Sequence, residues 1–266
     1  MSSGKPKPAV LITGASGGIG EGFAHCAAGD GHPLLLVARN DAELHRVRGI
    51  VIARYAVPVT VVTADLSRAG ACETLAKEIE ARAMVPGIVI NNAGFGLVGK
   101  ATRLGREDQL NMIDLNIRAL TDLTLRYLPG MLATGTGGVI NVASVAGFMP
   151  GPNMAVYFAT KAFVISFTDA LSAELRGKGV TLTSLCPGPV ETGFQARAGM
   201  KNARRLSRSA LLSAQAVADA GWRGFKEGER MVIPGVLNTL TAYGLRAAPR
   251  RLILPFVRRA MGASKG

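Results

Sequence analysis

A tyrosine and a lysine four residues apart are the most chemically suggestive pair in this 266-residue chain. Tyr157 and Lys161 stand in the run VYFATK, and in a helix residues at i and i+4 lie on one face. A free tyrosine titrates near ~10, but a nearby cation favours the phenolate and lowers its pKa. The spacing predicts a general acid–base acting on an alcohol or a carbonyl. An ordinary amphipathic helix shows the same spacing, so other motifs must support the pair.

The elements that must position this pair alternate between strand and helix. Short apolar runs predict strands at residues 9–13, 34–38, 59–64, 138–143, 180–186 and 231–233. A further strand is predicted to open at residues 88–90. Helical patterns fill the intervals, at about residues 19–28, 41–54, 69–84, 107–128, 154–176 and 213–226. This alternation predicts an α/β fold, a Rossmann-type doubly wound parallel sheet of about seven strands with helices on both faces. Residues 194–208 are polar and basic, which fits either a mobile loop or an irregular helix pair.

A glycine-rich turn follows the first predicted strand, in the run TGASGGIG. The N-terminus of the following helix offers free N–H groups and a positive dipole that suit a pyrophosphate. Gly14 permits the tight turn, Gly18 lets the backbone approach the phosphate, and Gly20 allows close packing of helix and strand. A flexible turn is the plain alternative, but the strand–turn–helix context favours a dinucleotide site.

Arg39 follows the second predicted strand, where an acidic residue would bind the ribose of NAD and an arginine accommodates the 2′-phosphate of NADP. Asp41 comes later and is expected to cap the next helix. Arg39 therefore predicts a preference for NADP(H) over NAD(H). A solvated surface arginine is the alternative interpretation.

Six motifs together resemble the classical short-chain dehydrogenases/reductases. They cover about residues 8–235 in the family's order and spacing: TGASGGIG from residue 13, NNAG from residue 91, Asn116, Ser144, Tyr157 with Lys161, and PGPVET from residue 187. The last thirty or so residues lie outside the family pattern. Their mixture of apolar residues and arginines resembles the C-terminal region of reductases that act on long-chain 3-oxoacyl or steroid substrates.

The resemblance implies a role for each matching position. Tyr157 would protonate the carbonyl oxygen as hydride arrives, Lys161 would lower the pKa of Tyr157 and hold the nicotinamide ribose, and Ser144 would hydrogen-bond the same oxygen. Asn116 would hold a water that links Lys161 to solvent. The cofactor-binding set is Gly14, Ser16, Gly17, Gly18, Ile19, Gly20, Arg39, Asp65, Leu66, Asn92, Ala93, Gly94, Tyr157, Lys161, Pro187, Gly188, Val190 and Thr192.

These positions predict an NADP(H)-dependent oxidoreductase that reduces a carbonyl to an alcohol, or runs the reverse reaction. The family commonly assembles through its two long helices, which implies a homodimer or a homotetramer. One alternative is a non-catalytic NADP-binding regulator or scaffold, although it would often lose Ser144, Tyr157 or Lys161. The other is a lipid-metabolising reductase at a membrane surface. Residues 1–266 are expected to form one domain with a basic extension at about 236–266.

Composition narrows the remaining classes of function. Three scattered cysteines suggest reduced thiols in a cytoplasmic protein, and three histidines without ligand spacing predict no metal. There is no apolar run long enough for a membrane span, and the N-terminus does not look like a secretory signal. Nucleic-acid binding is not expected, because the chain has no recognised motif and only 5% aromatic residues.

The substrate and the basic tail are less well defined by sequence. The pocket is expected to be mostly apolar and to favour a fatty-acyl, steroid-like or other hydrophobic substrate, unless the same side chains are ordinary packing: Phe95, Gly96, Val145, Ala146, Phe148, Met149, Met154 and Phe194. Residues 197–266 hold fourteen Lys and Arg against three Asp and Glu, out of a net charge of +13. The tail is therefore interpreted either as a peripheral membrane contact or as a helix docked on the domain or on a partner subunit.

Overall fold

Seven parallel strands form the main sheet of the computed structural model, which describes residues 7–191, 212–247, 251, 254, 255 and 257. The described strands are β1 (Ala9–Thr13), β2 (Leu34–Ala38), β3 (Val59–Thr63), β4 (Pro86–Asn91), β5 (Gly138–Val142), β6 (Thr181–Leu185), β7 (Val190–Glu191), β8 (Leu212–Ser213) and β9 (Met231–Val232). The main sheet has the order β3-β2-β1-β4-β5-β6-β9, and β7 pairs with β8 alone. From β1 the chain adds β2 and β3 on one side, and it then crosses to add β4 on the other side of β1. The strand order therefore reverses between β1 and β4.

Helices cover both faces of this sheet. They are α1 (Gly18–Gly29), α2 (Asp41–Arg54), α3 (Ala71–Ala81), α4 (Arg106–Ile113), α5 (Leu120–Thr134), α6 (Ala155–Glu174), α7 (Ala214–Lys226) and α8 (Val236–Ala247). Alternate residues of β1 enter opposite layers: Val10 and Ile12 pack in the core with α1, α2 and α7, whereas Leu11 packs in the core with α3 and α5. All three side chains are fully buried, as expected of a strand covered on both sides. The predicted Rossmann-type fold is confirmed.

The long helix predicted at 107–128 has a different internal structure. Residues Asp114–Ala119 form a π-helical segment between α4 and α5, and α5 continues to Thr134. A π-helical segment inside an α-helix inserts one residue per turn and is often found at functional sites. The sequence predicted the helix but not this interruption.

Two helix caps test the sequence predictions at single residues. Ser213 caps α7, where its side chain accepts a hydrogen bond from Ala216 N, as expected. The prediction for Asp41 is wrong, because the preceding Asn40 caps α2 by accepting from Glu43 N. Asp41 instead accepts a hydrogen bond from Thr63 Oγ1 at 2.6 Å and so ties α2 to the end of β3.

Within the described part of the chain, no helix is long and apolar enough to cross a membrane. Those residues also contain no group of three or more His, Cys, Asp or Glu placed to hold a metal ion. The predicted loop or helix pair at 194–208 lies outside the described residues.

Candidate active site

The predicted site residues converge on the carboxyl edge of the sheet, around the reversal between β1 and β4. In an open parallel sheet this crevice is where ligands bind. The glycine-rich turn follows β1, Arg39 follows β2, Asp65 follows β3, Asn92 follows β4, and Ser144 follows β5. Residues far apart in sequence therefore face a single crevice.

The glycine-rich turn leads directly into the first turn of α1. Gly14 and Gly18 adopt positive φ angles of 65° and 58°, a region that glycine enters without strain. A β-carbon at Gly20 would overlap Gly14 O and lie 2.7 Å from Asn92 Nδ2. Gly17 caps α1 without a side-chain hydrogen bond, so the N–H groups of the first turn are not capped by that residue. This arrangement fits a pyrophosphate, because no side chain at the cap fills the position that an anion would take.

The turn is fastened to the end of β4 by hydrogen bonds. Asn92 Nδ2 donates to Thr13 O at 3.0 Å and to Gly14 O at 3.1 Å. Thr13 Oγ1 accepts from Asn92 N and from Ala93 N, both at 3.0 Å. Asn92 therefore holds the shape of the turn with its side chain, a role that sequence reasoning did not assign to it. Thr13 was missed, although its place at the end of β1 could have suggested it.

Arg39 and Asp65 lie on the side of the crevice formed by β2 and β3. The Arg39 side chain is exposed, and within the described residues no salt bridge to it is formed. Asp65 accepts hydrogen bonds from Ser67 N at 3.1 Å and Ser67 Oγ at 2.6 Å. Burial works to raise the pKa of Asp65, but hydrogen bonds from Ser67 and the charges of Arg39 and Arg68 hold it below its usual value. Leu66 is only 6% exposed and belongs to the core.

Tyr157 and Ser144 form the hydrogen-bonded centre of the site. The two hydroxyl groups are hydrogen-bonded to each other. Ser144 Oγ also accepts from Ala146 N at 3.1 Å and lies 3.4 Å from Pro187 O. Ser144 caps the 3₁₀ turn Val145–Phe148, which fixes its side chain beside α6. The structure therefore brings together the serine and tyrosine that the sequence separates by thirteen positions.

Lys161 is buried and anchored one helical turn beyond Tyr157. Its side chain is 6% exposed, and Nζ donates to Val142 O at 2.8 Å at the end of β5. Nζ lies 5.8 Å from the centroid of the Tyr157 ring. A β-carbon at Gly94 would lie 3.6 Å from Lys161 Nζ and 3.0 Å from Asn116 Oδ1, so these three residues share one small volume.

The acid–base properties of the pair differ from the sequence expectation. Burial raises the pKa of Tyr157 to about 12, and its hydrogen bond with Ser144 opposes this rise only in part. Burial lowers the pKa of Lys161 to about 8, while interaction with Cys186 works in the opposite direction. The expected lowering of the Tyr157 pKa by Lys161 is not observed, because desolvation disfavours the charged form of both groups. A phenol with a pKa of about 12 carries its proton at pH 7.

Asn116 lies in the π-helical segment and is almost completely buried. Its Oδ1 accepts from Phe95 N at 3.1 Å, and its Nδ2 donates to Phe95 O at 2.9 Å and to Thr160 Oγ1 at 3.1 Å. Thr160 Oγ1 donates in turn to Tyr157 O at 2.7 Å. Asn116 therefore connects the segment after β4 to helix α6, which carries Tyr157 and Lys161. Thr160 was missed, although its place between Tyr157 and Lys161 was a signal.

The segment after β6 closes the site on its other side. Pro187 O accepts from Val145 N at 3.0 Å, and Val190 is buried in β7. A β-carbon at Gly188 would overlap the side chain of Asn238 in α8. Asn238 is held by a 2.8 Å hydrogen bond from its Nδ2 to Pro234 O. No sequence signal pointed to Asn238, and Thr192 lies outside the described residues.

A small apolar cluster borders Tyr157. Its buried members are Ala146, Met154, Phe158 and Val257, and the partly buried Val98, Met149, Tyr157 and Leu245 pack against them. Leu245 and Val257 come from the C-terminal region, which therefore reaches the cluster that borders Tyr157. Of the expected pocket residues, Ala146, Met149 and Met154 belong to this cluster, whereas Phe95 and Phe148 pack in other parts of the core. Phe194 lies outside the described residues.

The fold and this constellation match a known family. The family model for short chain dehydrogenases matches residues 8–203, and the chain belongs to the short-chain dehydrogenase/reductase family. A short-chain dehydrogenase from Sphingobium yanoikuyae, solved in complex with NADPH, is 33% identical with a TM-score of 0.82; the match covers 98% of this chain and 100% of that one. The chain is therefore an oxidoreductase of a family that uses a nicotinamide dinucleotide.

Two curated relatives have different substrates in their names. Sulfoacetaldehyde reductase 2 of Chromohalobacter salexigens is 36% identical over 70% of this chain and 73% of the relative. Very-long-chain 3-oxoacyl-CoA reductase of Anas platyrhynchos is 32% identical over 69% of this chain and 60% of the relative. One name refers to a small anionic aldehyde and the other to a long acyl chain. Both relatives reduce carbonyl groups, but together they leave the substrate class open.

Proposed function

We propose that this protein is an NADP(H)-dependent carbonyl reductase in which Tyr157 is the general acid. The observation that carries the proposal is the hydrogen bond between the Tyr157 and Ser144 hydroxyl groups beside the buried Lys161 ammonium. NADPH, when bound in the crevice, supplies a hydride to the carbonyl carbon. Tyr157 donates a proton to the carbonyl oxygen, and Ser144 stabilises the charge that develops there.

The surrounding residues support reduction at neutral pH. Because burial raises the pKa of Tyr157 to about 12, its proton is in place before the reaction. Alcohol oxidation would need the phenolate, which this environment disfavours. Lys161 is proposed to hold the nicotinamide ribose. Asn116 is proposed to hold the water that links Lys161 to solvent. It would do so through its main-chain carbonyl, because its side-chain amide is already hydrogen-bonded to Phe95 and Thr160.

The preference for NADP(H) is part of this proposal and rests on Arg39. Its exposed guanidinium follows β2 and has no described salt-bridge partner that would compete with a ribose 2′-phosphate. A guanidinium recognises phosphate through paired, charge-assisted hydrogen bonds. The N-terminus of α1 would bind the pyrophosphate, as its uncapped first turn supports.

The proposed substrate is a hydrophobic ketone or aldehyde, or the corresponding alcohol. The apolar cluster of Ala146, Met154, Phe158 and Val257 beside Tyr157 supports this class, because apolar walls favour uncharged, water-poor ligands. A fatty-acyl or steroid-like carbonyl therefore fits better than a small acid.

We also propose a homodimer or homotetramer formed through the long helices α5 and α6. Four apolar side chains on or beside these helices are between 37% and 49% exposed: Leu110, Ile113, Leu125 and Phe163. Burying them against a second copy would remove this surface from water. We further propose that residues 1–266 form one domain. The free cysteines favour a cytoplasmic location. The basic C-terminal region is proposed to make a peripheral membrane contact.

The substitution Tyr157→Phe tests the catalytic assignment. We expect turnover of a carbonyl substrate to fall by about 10²–10⁴-fold, while NADPH binding, followed by fluorescence, changes little. Tyr127→Phe is the matched control, because the buried Tyr127 hydroxyl has no hydrogen-bond partner among the described residues. Near-normal turnover in Tyr157→Phe would refute the role of Tyr157. A panel of 3-oxoacyl thioesters, steroids and aldehydes would identify the substrate class.

A further inference from the structure

Helix α8 presents an apolar face to the outside of the molecule. Val236, Leu237, Leu240 and Tyr243 are 79%, 66%, 66% and 55% exposed, and their spacing places them on one side of the helix. The other side faces inward, where Ala242 is fully buried. A helix that is apolar on both sides needs a second apolar environment to cover its outer face.

The same part of the chain is strongly cationic. Residues 236–266 contain six Lys and Arg and no Asp or Glu. Arg251 is exposed, and the nearby Leu254 is 40% exposed. The exposed apolar face of α8 therefore belongs to a segment, residues 236–266, whose positive charges are not offset by any acidic residue within it.

The charge decides which partner fits this face. A second copy of the chain docked across a two-fold axis would place two cationic segments against each other, and like charges repel. An acidic soluble partner would satisfy the charges and leave the apolar side chains to be covered separately. An anionic lipid surface supplies both chemistries, because its phosphates attract Arg and Lys while its acyl region accepts leucine and the tyrosine ring.

We propose that the outer face of α8 docks on an anionic membrane surface, so that the mouth of the substrate pocket faces the lipid. The inner side of the same region reaches the active site, since Leu245 and Val257 pack in the apolar cluster beside Tyr157. A hydrophobic carbonyl compound dissolved in the bilayer would then meet the pocket at the lipid interface. This uptake of substrate from the bilayer rests on the proposed reductase function, whereas the docking of α8 on the membrane does not.

Vesicle co-sedimentation of the full chain tests the docking directly. We expect the wild type to bind vesicles of phosphatidylcholine with phosphatidylglycerol more tightly than vesicles of phosphatidylcholine alone, and to bind less at high salt. The double variant Leu237→Gln with Leu240→Gln should weaken binding by at least about tenfold, because it removes two leucines from the acyl region. Arg250→Gln with Arg251→Gln should reduce the preference for the anionic vesicles, because it removes two of the six positive charges of the segment.

The control is a matched pair of exposed apolar residues on α2. Ile50 and Ile52 are 41% and 47% exposed, so Ile50→Gln with Ile52→Gln removes a comparable surface elsewhere and should leave vesicle binding unchanged. Gel filtration of the α8 variant should show the wild-type assembly, and its turnover of a water-soluble aldehyde should be unchanged.

Three results would overturn the docking proposal. They are no binding by the wild type, equal loss of binding in the α2 control, and a smaller assembly of the α8 variant without any vesicle binding, which would assign the face to a second copy. Vesicle binding by a wild type that turns over no carbonyl substrate would sustain the docking and refute the reductase function, so the two failures are distinguishable.

Discussion

The segments that follow β1 and β4 are fastened to each other by hydrogen bonds, whereas the segments around the mouth of the site meet through apolar side chains. On the first side, which we call the cofactor side, Thr13 and Asn92 exchange four hydrogen bonds with neighbouring backbone groups. On the second, which we call the substrate side, Leu245, Val257 and Tyr157 meet in one apolar cluster. Hydrogen bonds impose distances and angles, while apolar contacts tolerate changes of shape.

This difference corresponds to the two tasks that we propose for the crevice, cofactor binding and substrate binding. The cofactor is chemically constant, so a rigid backbone cradle suits it. Substrates differ among relatives, as the sulfoacetaldehyde and 3-oxoacyl-CoA reductases illustrate, and an apolar wall from the C-terminal region can change without disturbing the cradle. Tyr157 packs against the apolar cluster, and Lys161 donates to Val142 O at the end of β5, the strand next to β4.

The largest effect is expected from Gly20→Ala on the cofactor side. The new methyl group would overlap Gly14 O and displace the first turn of α1. Overpacking of this kind costs about 1–3 kcal/mol, and at the upper end NADPH affinity would fall by about 100-fold. Titration of NADPH fluorescence and urea unfolding would measure the two effects.

Gly49→Ala is the control for this substitution. Gly49 lies within α2 and is exposed, and a β-carbon there would meet no atom within 4 Å. It should stabilise the protein by about 0.5–1 kcal/mol, because alanine is the better helix former. If Gly20→Ala binds NADPH as the wild type does, the cradle is less rigid than the comparison requires.

A pH profile tests the residues that join the two sides. Burial lowers the pKa of Lys161 from 10.5 to about 8, so its charge is present below that pH and is lost above it. If the charged lysine is required, kcat/KM for carbonyl reduction should be constant below pH 7 and fall about tenfold per pH unit well above 8. Tyr157, with a pKa of about 12, cannot cause this loss.

Lys161→Arg sharpens the assignment, since arginine stays charged over the whole range. Its maximal rate is expected to be lower, but the alkaline fall should disappear. The same fall in the variant would move its origin to another group. Thermal unfolding at each pH would exclude loss of the folded protein as the cause.

Sequence reasoning predicted the elements around the candidate site where the signal is local. The glycine-rich turn, the strand ends and the pair at i, i+4 each lie within a few residues, so backbone geometry and spacing define them. The boundaries of β1, β2 and α2 agree with the predicted ranges. The cap of α2 was misassigned by one residue, because asparagine and aspartate both favour that position.

It failed where distant residues meet. Asn238 lies against Gly188, and Val257 lies beside Phe158, about a hundred residues away in sequence. The π-helical segment at Asp114–Ala119 has no hydropathy signal, since one inserted residue changes the period only locally. The predicted lowering of the Tyr157 pKa was also wrong. Spacing reveals a neighbouring charge but not the desolvation that outweighs it.

An intermediate effect is expected at the cofactor edge from Arg39→Ala. Loss of charge-assisted hydrogen bonds to a 2′-phosphate costs about 2 kcal/mol, which corresponds to about 30-fold in kcat/KM for NADPH. NADH lacks that phosphate, so its kcat/KM should barely change. Arg68→Ala is the control, because Arg68 is also exposed and also interacts with Asp65. Equal losses with NADPH and NADH would remove the phosphate role.

The smallest effect is expected at the contact between Gly188, which belongs to the predicted cofactor-binding set, and Asn238 in α8. Gly188→Ala would force its methyl group against the Asn238 side chain, and the resulting shift of the Pro187–Gly188 backbone should lower kcat/KM by about tenfold or less. Asn238→Ala alone should cost little beyond its hydrogen bond to Pro234 O.

The double variant decides whether this contact couples α8 to the cofactor segment. Because Asn238→Ala makes room for the new methyl group, it should restore most of the activity lost in Gly188→Ala. The two effects should then be non-additive, as neighbouring residues require. Additive losses would mean that the two residues are not coupled. In that case α8 could shift its position without moving the Pro187–Gly188 backbone.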